Sequence, residues 1–545
     1  MLGGHAVART LREAGCDVVF TLCGGHVAPI YDGCVEYGID IVDTRHEQGA
    51  VHAADAHARL SRGLGVAVLT AGPGITDGVT GIANAQFANS PVLILGGAPK
   101  QTQLGRGALQ EMDQLSMLRP ITKGTFSVTH PDRLSETVGQ AIQLALADNP
   151  GPVFVEIPFD VVASATEVLT LHQARYRPLP QGADPAAVER LAEVLCASAR
   201  PILFAGSSVW WDDAGDAVMA LAAHGVPVLA NGMARGVLPP DHPSSFSLAR
   251  SKALRECDLL LLVGAPLDFR IGYGQGIHAD AHICHVNRDP RVFGKNRDTT
   301  LSLHADARST LTALIAALAP RRPDAGRLAE WRASLRAEEE ARLAPMTRWA
   351  ADESGPVNHF RLARAIAEAA DDDTIIVGDG GDVVSMAARW LRPRKMGRWL
   401  DPGPFGTLGV GAPFALAAKR LRPGSQVILL SGDGSFGLTG FDVETCVRFN
   451  LPVTVVIGND AAWGQIRVPQ IAAFGAGRAV GSKLAPIRYD EVVRAFGGAG
   501  EHVGSGNGLD AALRRARDSH KVYALDVALD PGFIEREKLS KFTVL

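Results

Sequence analysis

"SGDGSFGLTG", residues Ser431 to Gly440, follows the apolar run "QVILL" and leads into a segment with helical patterning. An acidic residue between two glycines at the end of a buried strand poses a physical problem. A glycine-rich strand-to-helix turn lets backbone N–H groups approach an anion closely. Asp433 would repel that anion. A carboxylate belongs beside a phosphate only when a cation sits between them.

The chain continues "DGSFGLTGFDVETCVRFNLPVTVVIGNDAAWG". A helix is expected from about Phe441 to Phe449, then the strand "PVTVVI", which ends at "GND". In a parallel sheet both strands deliver their C-terminal ends to one edge, where open α/β sheets bind ligands. Asp433 and Asp460 can therefore meet. Two hard oxygen ligands with a backbone carbonyl, such as that of Ala462, suit Mg²⁺ bridging a diphosphate. Gly432, Gly434 and Ser435 then line the turn around it.

The same rhythm runs along the whole chain. "DVVFTL", "GIDIVD", "GVAVLTAGPG", "PVLILGGA" and "GPVFVEIP" alternate with Ala-rich helical stretches such as "QGAVHAADAHARLSRG". Strand, glycine-containing turn, helix, strand is the pattern of a doubly wound parallel sheet. "PILFAG", "VPVLANG", "CDLLLLVGAP" and "HICHVN" repeat it, as do "TIIVGDGG", "QVILLSGDG", "LPVTVVIGND" and "VYALDVAL". The expected organisation is three consecutive α/β domains, over 1–165, 185–320 and 355–530, with a C-terminal tail over 531–545. "TLHQARYRPLPQGAD" reads as the first linker. The charged stretch beginning "RRPDAGRLAEW" reads as a second linker with exposed helices. The first and third units share their alternation without obvious sequence identity.

Composition excludes other classes. With 46% hydrophobic and 21% charged residues and a net charge of −4 in 545 residues, the chain is an ordinary globular protein with no basic run for nucleic acid. The start, "MLGGHAVARTLREAG", lacks the n-region and h-region of a signal peptide, and no apolar stretch approaches a membrane span. Seven scattered, unpaired cysteines suit a reducing cytoplasm.

A GDG turn followed, after a helix and a strand, by an Asn/Asp pair resembles the cofactor motif of thiamine-diphosphate-dependent enzymes. The metal-binding position of that family's usual "NN" pair falls on Asp460 and its carbonyl ligand on Ala462; Asn459 is the alternative ligand if the register slips by one. The resemblance implies a glutamate on another domain, and Glu47 in "DTRHEQGAVHAADAHARL" takes that place. Its implied work is acid–base: a hydrogen bond to N1′ of the aminopyrimidine that promotes loss of the thiazolium C2 proton. "LDPGPFGTLGVGAPFALAAK" resembles the pyrimidine-clamping loop, with the Gly406 carbonyl and Leu408 N–H on the ring and the Leu408 side chain wedging the cofactor. "VGDGGDVVSM" resembles the loop at the diphosphate end, placing Gly381 and Asp382 there; an Asp beside phosphate is unexpected.

The resemblance covers almost the whole chain. It implies pyrimidine-binding, central and diphosphate-binding domains, a site shared between subunits, a homodimer as the minimum and a tetramer as the expected assembly. "RGALQEMDQ", "DGGDVV" and the clamping loop look closest to the 2-hydroxyacyl-CoA lyases of the acetolactate-synthase-like branch. That implies cleavage of a 2-hydroxyacyl-CoA to formyl-CoA and an aldehyde or ketone, and the reverse condensation. Gln110 would contact substrate, with His26, after Gly24 and Gly25, as a polar partner. The alternative is acetolactate synthase or another 2-keto-acid decarboxylase or carboligase; "GGHVAPIYDG" matches the glycine-rich loop of acetolactate synthase, but "AAWGQIRVPQIAAFG" lacks its "VRQWQ"-like stretch. A non-catalytic scaffold fits poorly with Glu47 and both acidic metal positions in place. After "LLLLVG", where family members bind FAD or the ADP part of CoA, Arg270 could pair with a phosphate or make a structural ion pair. No redox residue is evident, so flavin is not expected to act. The tail, with Phe533, Ile534, Phe542, Lys538 and Lys541, is expected to serve as a lid or a packing segment.

Overall fold

The computed structural model describes residues 1–166 and 179–539. Three six-stranded sheets follow one another, every strand pair parallel. The first holds β1 (Val18–Thr21), β2 (Asp40–Asp43), β3 (Gly65–Leu69), β4 (Val92–Ala98), β5 (Gly124–Ser127) and β6 (Val153–Pro158), in the order β2-β1-β3-β4-β6-β5. The second holds β7 (Pro201–Ala205), β8 (Val228–Ala230), β9 (Ser245–Phe246), β10 (Leu259–Val263), β11 (His282–Asn287) and β12 (Leu301–His304), in the order β12-β11-β10-β7-β8-β9. The third holds β13 (Ile375–Asp379), β14 (Trp399–Leu400), β15 (Val427–Gly432), β16 (Thr454–Asn459), β17 (Ala499–Val503) and β18 (Tyr523–Ala528), in the order β14-β13-β15-β16-β18-β17.

Helices cover both faces of each sheet, so interior strands such as β3, β4 and β10 are buried along their full length. The first and third sheets have the same strand order. In each, strand order reverses beside the first strand: between β1 and β3, and between β13 and β15. Open α/β sheets leave a ligand crevice at that reversal.

The two matching sheets share one hydrophobic core, built largely by the helices Glu47–Ser61 and Gly411–Leu421. These are the same helix in each unit, joining the second strand to the third. Glu47–Ser61 is buried almost all round because alanine and glycine let its neighbours approach; a Cβ on Gly65 would stand 2.0 Å from the Ala54 carbonyl. Within that tight packing Arg59 and Asp55 form a bidentate pair at 2.7 Å, and Asn84 donates to Asp55 at 2.9 Å. Arg59 also donates to the Asp401 carbonyl at 2.7 Å, which anchors the loop leading to Leu408.

The structure details two of the expected segments. The charged stretch after the central sheet is one helix, Ala325–Ala350, and its buried face is not solvated. Trp331 and Leu335 enter the central core, while Met346 and Ala350 enter the core of the third unit. The segment after the last strand is docked: Phe533 and Ile534 are each 4% exposed and pack with Met346, Phe360 and Met386. Lys541 and Phe542 lie outside the described residues. No described helix is long and apolar enough to cross a membrane.

Candidate functional site

At the crevice of the first sheet, the loop after β1 meets the loop after β3. A Cβ on Gly24 would stand 2.2 Å from Thr70, and His26 Nδ1 lies 3.2 Å from Thr70 Oγ1. Glu47 opens its helix behind His46, whose Nδ1 accepts from Gln48 N–H at 3.1 Å. Glu47 is 6% exposed, and its Oε1 is 3.4 Å from where a Cβ on Gly74 would stand. Burial pushes its carboxyl above the ordinary glutamate value; Asp77 adds to the rise and His46 opposes it. Gln110 reaches the same edge with φ +62°, its carbonyl 2.7 Å from the Cβ position of Gly72. Burial also lowers His26, so its ring stays neutral over a wider pH range. Glu47, His26 and Gln110 thus share one sheet edge.

Sequence reasoning missed two residues that build this edge. Gln114, 1% exposed, accepts from Gly72 N–H at 2.9 Å and donates to the Gly97 carbonyl at 3.0 Å and Glu156 at 2.9 Å. Thr70 is the other. Both sit in stretches quoted for other features, and only the folded edge gives them a partner.

The crevice of the third sheet is acidic instead. A Cβ on Gly380, at φ +151°, would stand 3.0 Å from Gly432 N, so the turns after β13 and β15 touch as their counterparts do. Asp433 is 3% exposed; its Oδ1 accepts from Gly434 N–H at 2.8 Å, and its Oδ2 is buried with no hydrogen-bond partner. Burial, then the neighbouring Asp460, pushes its carboxyl up to about 7. Asp460 is raised to about 6 by burial, and Asp382 to about 6 by burial and then by Asp460.

A buried, unpartnered carboxylate oxygen facing a second carboxylate suits a hard cation. Ala462 is tied to the same turn: its N–H donates to Asp460 Oδ1 at 3.2 Å, and its bridge to Lys483 uses the Ala461 carbonyl and Trp463 N–H. Asn459 is engaged elsewhere. Its Nδ2 donates to Asp526 and to the Ile487 carbonyl, both at 2.9 Å, and its Oδ1 accepts from Ala461 N–H at 3.2 Å.

The loop carrying Gly406 and Leu408 is held from below by Asp379, which accepts from Gly409 and Gly411 N–H at 2.8–3.2 Å. Burial raises Asp379 to about 6. Gly406 has φ +68°, a conformation that favours glycine. Gly381 borders Gln465, and Gly434 borders the Trp463 ring, whose nearest atom is 2.5 Å from a would-be Cβ. Arg270 lies far from both crevices in sequence and is occupied: its Nε and Nη2 donate to Asp268 at 3.0 and 2.6 Å. It staples its own turn. Beside Glu47 the first unit meets the third: Arg45 N–H donates to Asp442 at 2.8 Å, and the Arg45 guanidinium lies 3.6 Å from Glu444.

Three family models match the chain: the N-terminal TPP binding domain of thiamine pyrophosphate enzymes over residues 1–117, the central domain over 188–314 and the C-terminal TPP binding domain over 379–527. A probable acetolactate synthase of Mycobacterium bovis is 40% identical over 542 residues, covering 98% of this chain and 96% of the relative. The 2-hydroxyacyl-CoA lyase 2 of Danio rerio is 39% identical over 547 residues, covering 92% and 86%. That of Homo sapiens is 37% identical over 566 residues, covering 95% and 89%. Two reaction names thus stand at closely similar identity. The chain belongs to the thiamine-diphosphate-dependent enzymes, in the family that includes acetolactate synthases and 2-hydroxyacyl-CoA lyases.

Proposed function

We propose that this enzyme is a 2-hydroxyacyl-CoA lyase, which breaks the C1–C2 bond of a 2-hydroxyacyl-CoA to give formyl-CoA and an aldehyde or ketone. The observation that carries this reading is the segment over the diphosphate half-site. "AAWGQIRVPQ" lays Trp463 on Gly434 and Gln465 on Gly381, and it lacks the "VRQWQ"-like stretch expected of acetolactate synthase. Bound thiamine diphosphate would supply the electron sink for the carbanion left by C–C cleavage.

The chain's own residues have distinct work. Asp433, Asp460 and the Ala462 carbonyl would hold Mg²⁺, and Gly432, Gly434, Ser435, Gly381 and Asp382 would surround the diphosphate. Gly406 and Leu408 hold the aminopyrimidine, fixed from below by Asp379. Glu47 keeps a proton in a hydrogen bond to that ring, which its raised pKa favours. The proton lost from the 2-hydroxyl ends on the formyl carbon, so atoms balance. Gln110 and His26 face the substrate from the Glu47 edge. In this reading, as the family resemblance implies, the working site forms between two copies, the pyrimidine face of one against the diphosphate face of the other. The occupied Arg270 weighs against a phosphate role for that residue.

The test is a paired assay of the purified protein with thiamine diphosphate and Mg²⁺. Release of formyl-CoA from a 2-hydroxyacyl-CoA supports the lyase. Acetolactate from pyruvate, without thioester cleavage, transfers the function to acetolactate synthase, the reading favoured by the 40% identical Mycobacterium relative.

A further inference from the structure

Asp382 is placed beside the diphosphate above without a stated chemical task. It opens the helix Asp382–Trp390 immediately after the Gly380–Gly381 turn, at the crevice where Asp433 and Asp460 stand. Its Oδ2 is shut off from solvent and has no hydrogen-bond partner. The Oδ2 atoms of Asp382 and Asp460 lie 3.6 and 2.7 Å from the point where a Cβ on Gly464 would stand, so both border one small space. Asp433, only 3% exposed, brings a second unpartnered Oδ2 to the same crevice. Arg389, on the same helix as Asp382, attracts it through space without a hydrogen bond.

Among the described residues nothing hydrogen-bonds to these buried oxygens, and burying charged acceptors without donors is costly. No three His, Cys, Asp or Glu side chains among the described residues close directly round a metal ion. With Asp433 and Asp460 taken as the inner pair, Asp382 is left for a place one layer out. A small hard dication keeps several of its waters, and a carboxylate that accepts from such a water strengthens the site.

We propose that Asp382 accepts a hydrogen bond from a water on the bound divalent cation, so that the half-site captures the hydrated ion before the diphosphate arrives. The inference rests on Asp433 and Asp460 as the inner ligands and is independent of which reaction the enzyme runs.

The probe is Mn²⁺, titrated into the cofactor-free full-length protein and followed by electron paramagnetic resonance, with Mg²⁺ calorimetry alongside. The wild type binds one Mn²⁺ per chain without thiamine diphosphate. Asp382→Asn weakens that affinity about 10- to 100-fold with an unchanged melting temperature, and Asp382→Glu, which keeps the charge, recovers most of it. With Mg²⁺ saturating, Asp382→Asn still binds thiamine diphosphate. Unchanged Mn²⁺ affinity in Asp382→Asn, or no Mn²⁺ binding by the cofactor-free wild type, overturns the proposal. Should Asp382→Asn fold poorly, the Asp382→Glu titration decides, since a lost site there also overturns it. Full Mn²⁺ binding by Asp433→Asn instead overturns the inner-ligand assignment, a failure separable from that of Asp382.

Discussion

The first and third sheets have one topology and opposite chemistry. Both reverse strand order beside their first strand, and both bring two glycine turns into contact there, Gly24 with Thr70 and Gly380 with Gly432. Around the first crevice stand Glu47, His26, Thr70 and Gln110, with one acid whose pKa is raised. Around the third stand Asp379, Asp382, Asp433 and Asp460, all four raised by burial. Topology makes the crevice; the residues at the strand ends decide what it takes. The central sheet repeats the topology: its order reverses between β7 and β10, where a Cβ on Gly206 would stand 2.4 Å from the Gly264 carbonyl, and Arg270 is committed to Asp268.

Removing one group from each crevice separates the two roles most strongly. Glu47→Gln should lower kcat by about 10²- to 10⁴-fold, the scale of a lost acid–base group, while thiamine diphosphate affinity stays within about tenfold. Turnover like the wild type would take Glu47 out of the chemistry. Asp433→Ala should do the reverse and weaken Mg²⁺-dependent cofactor binding on the order of 100-fold or more, since outer-layer partners alone cost 10- to 100-fold. Calorimetry showing unchanged cofactor binding would end the metal assignment.

If the crevices of two copies complete each other, the two inactive variants should rescue one another. Random pairing of Glu47→Gln and Asp433→Ala chains leaves one intact site in half the dimers, about a quarter of wild-type activity. No recovery on co-expression would place both halves of the site in one chain.

Smaller effects test how each edge is supported. Asp379→Asn removes charge-assisted acceptors for Gly409 and Gly411 N–H and should cost about 1–2 kcal/mol, read as a lower melting temperature and a higher KM for thiamine diphosphate. The smallest effect is in pH. The folded-state pKa values of Asp379, Asp382, Asp433 and Asp460, about 6 to 7, lie above the ordinary 3.8. The folded cofactor-free protein therefore holds extra protons between those values. Its stability from these groups is complete below the unfolded value and is lost as pH rises through about 6 to 7. Melting temperatures of the cofactor-free protein should fall over that window, and Mg²⁺ with thiamine diphosphate should reverse the fall. A flat profile would mean that the third crevice is not the acidic one.

Interior strands were legible because burial on both faces leaves continuous apolar runs, as in "PVLIL", "DLLLLV" and "QVILL". The glycine and acid punctuation at their ends was legible for the same reason: a turn leaving a sheet edge has few tolerated residues. Asp433 and Asp460 could be singled out on that local basis, whereas Glu47 stands out only through the family resemblance. The strands the sequence concealed are β5, β9, β12, β14 and β17, each at a sheet edge. The half-exposed β5 and β12 have one neighbour and partial burial, so their residues keep no apolar signature, while β9 and β14 are only two residues long.

Tertiary structure alone decided the matters that depend on partners distant in the chain. Asn459 and Asp460 are adjacent and both plausible by type, yet only the fold shows that the Asn459 amide donates to Asp526, 67 positions on. Arg270 looks free in a line of letters and is bound in the fold. Gln114 and Asp379 lie inside quoted motifs that assign them no role; their partners are backbone N–H groups that the sheets carry to them. The tail reads as surplus until Phe533 and Ile534 meet Met346, nearly two hundred residues earlier. Local sequence determines which residues suit a strand, a turn or a ligand; which of them meet depends on contacts that no window of sequence contains.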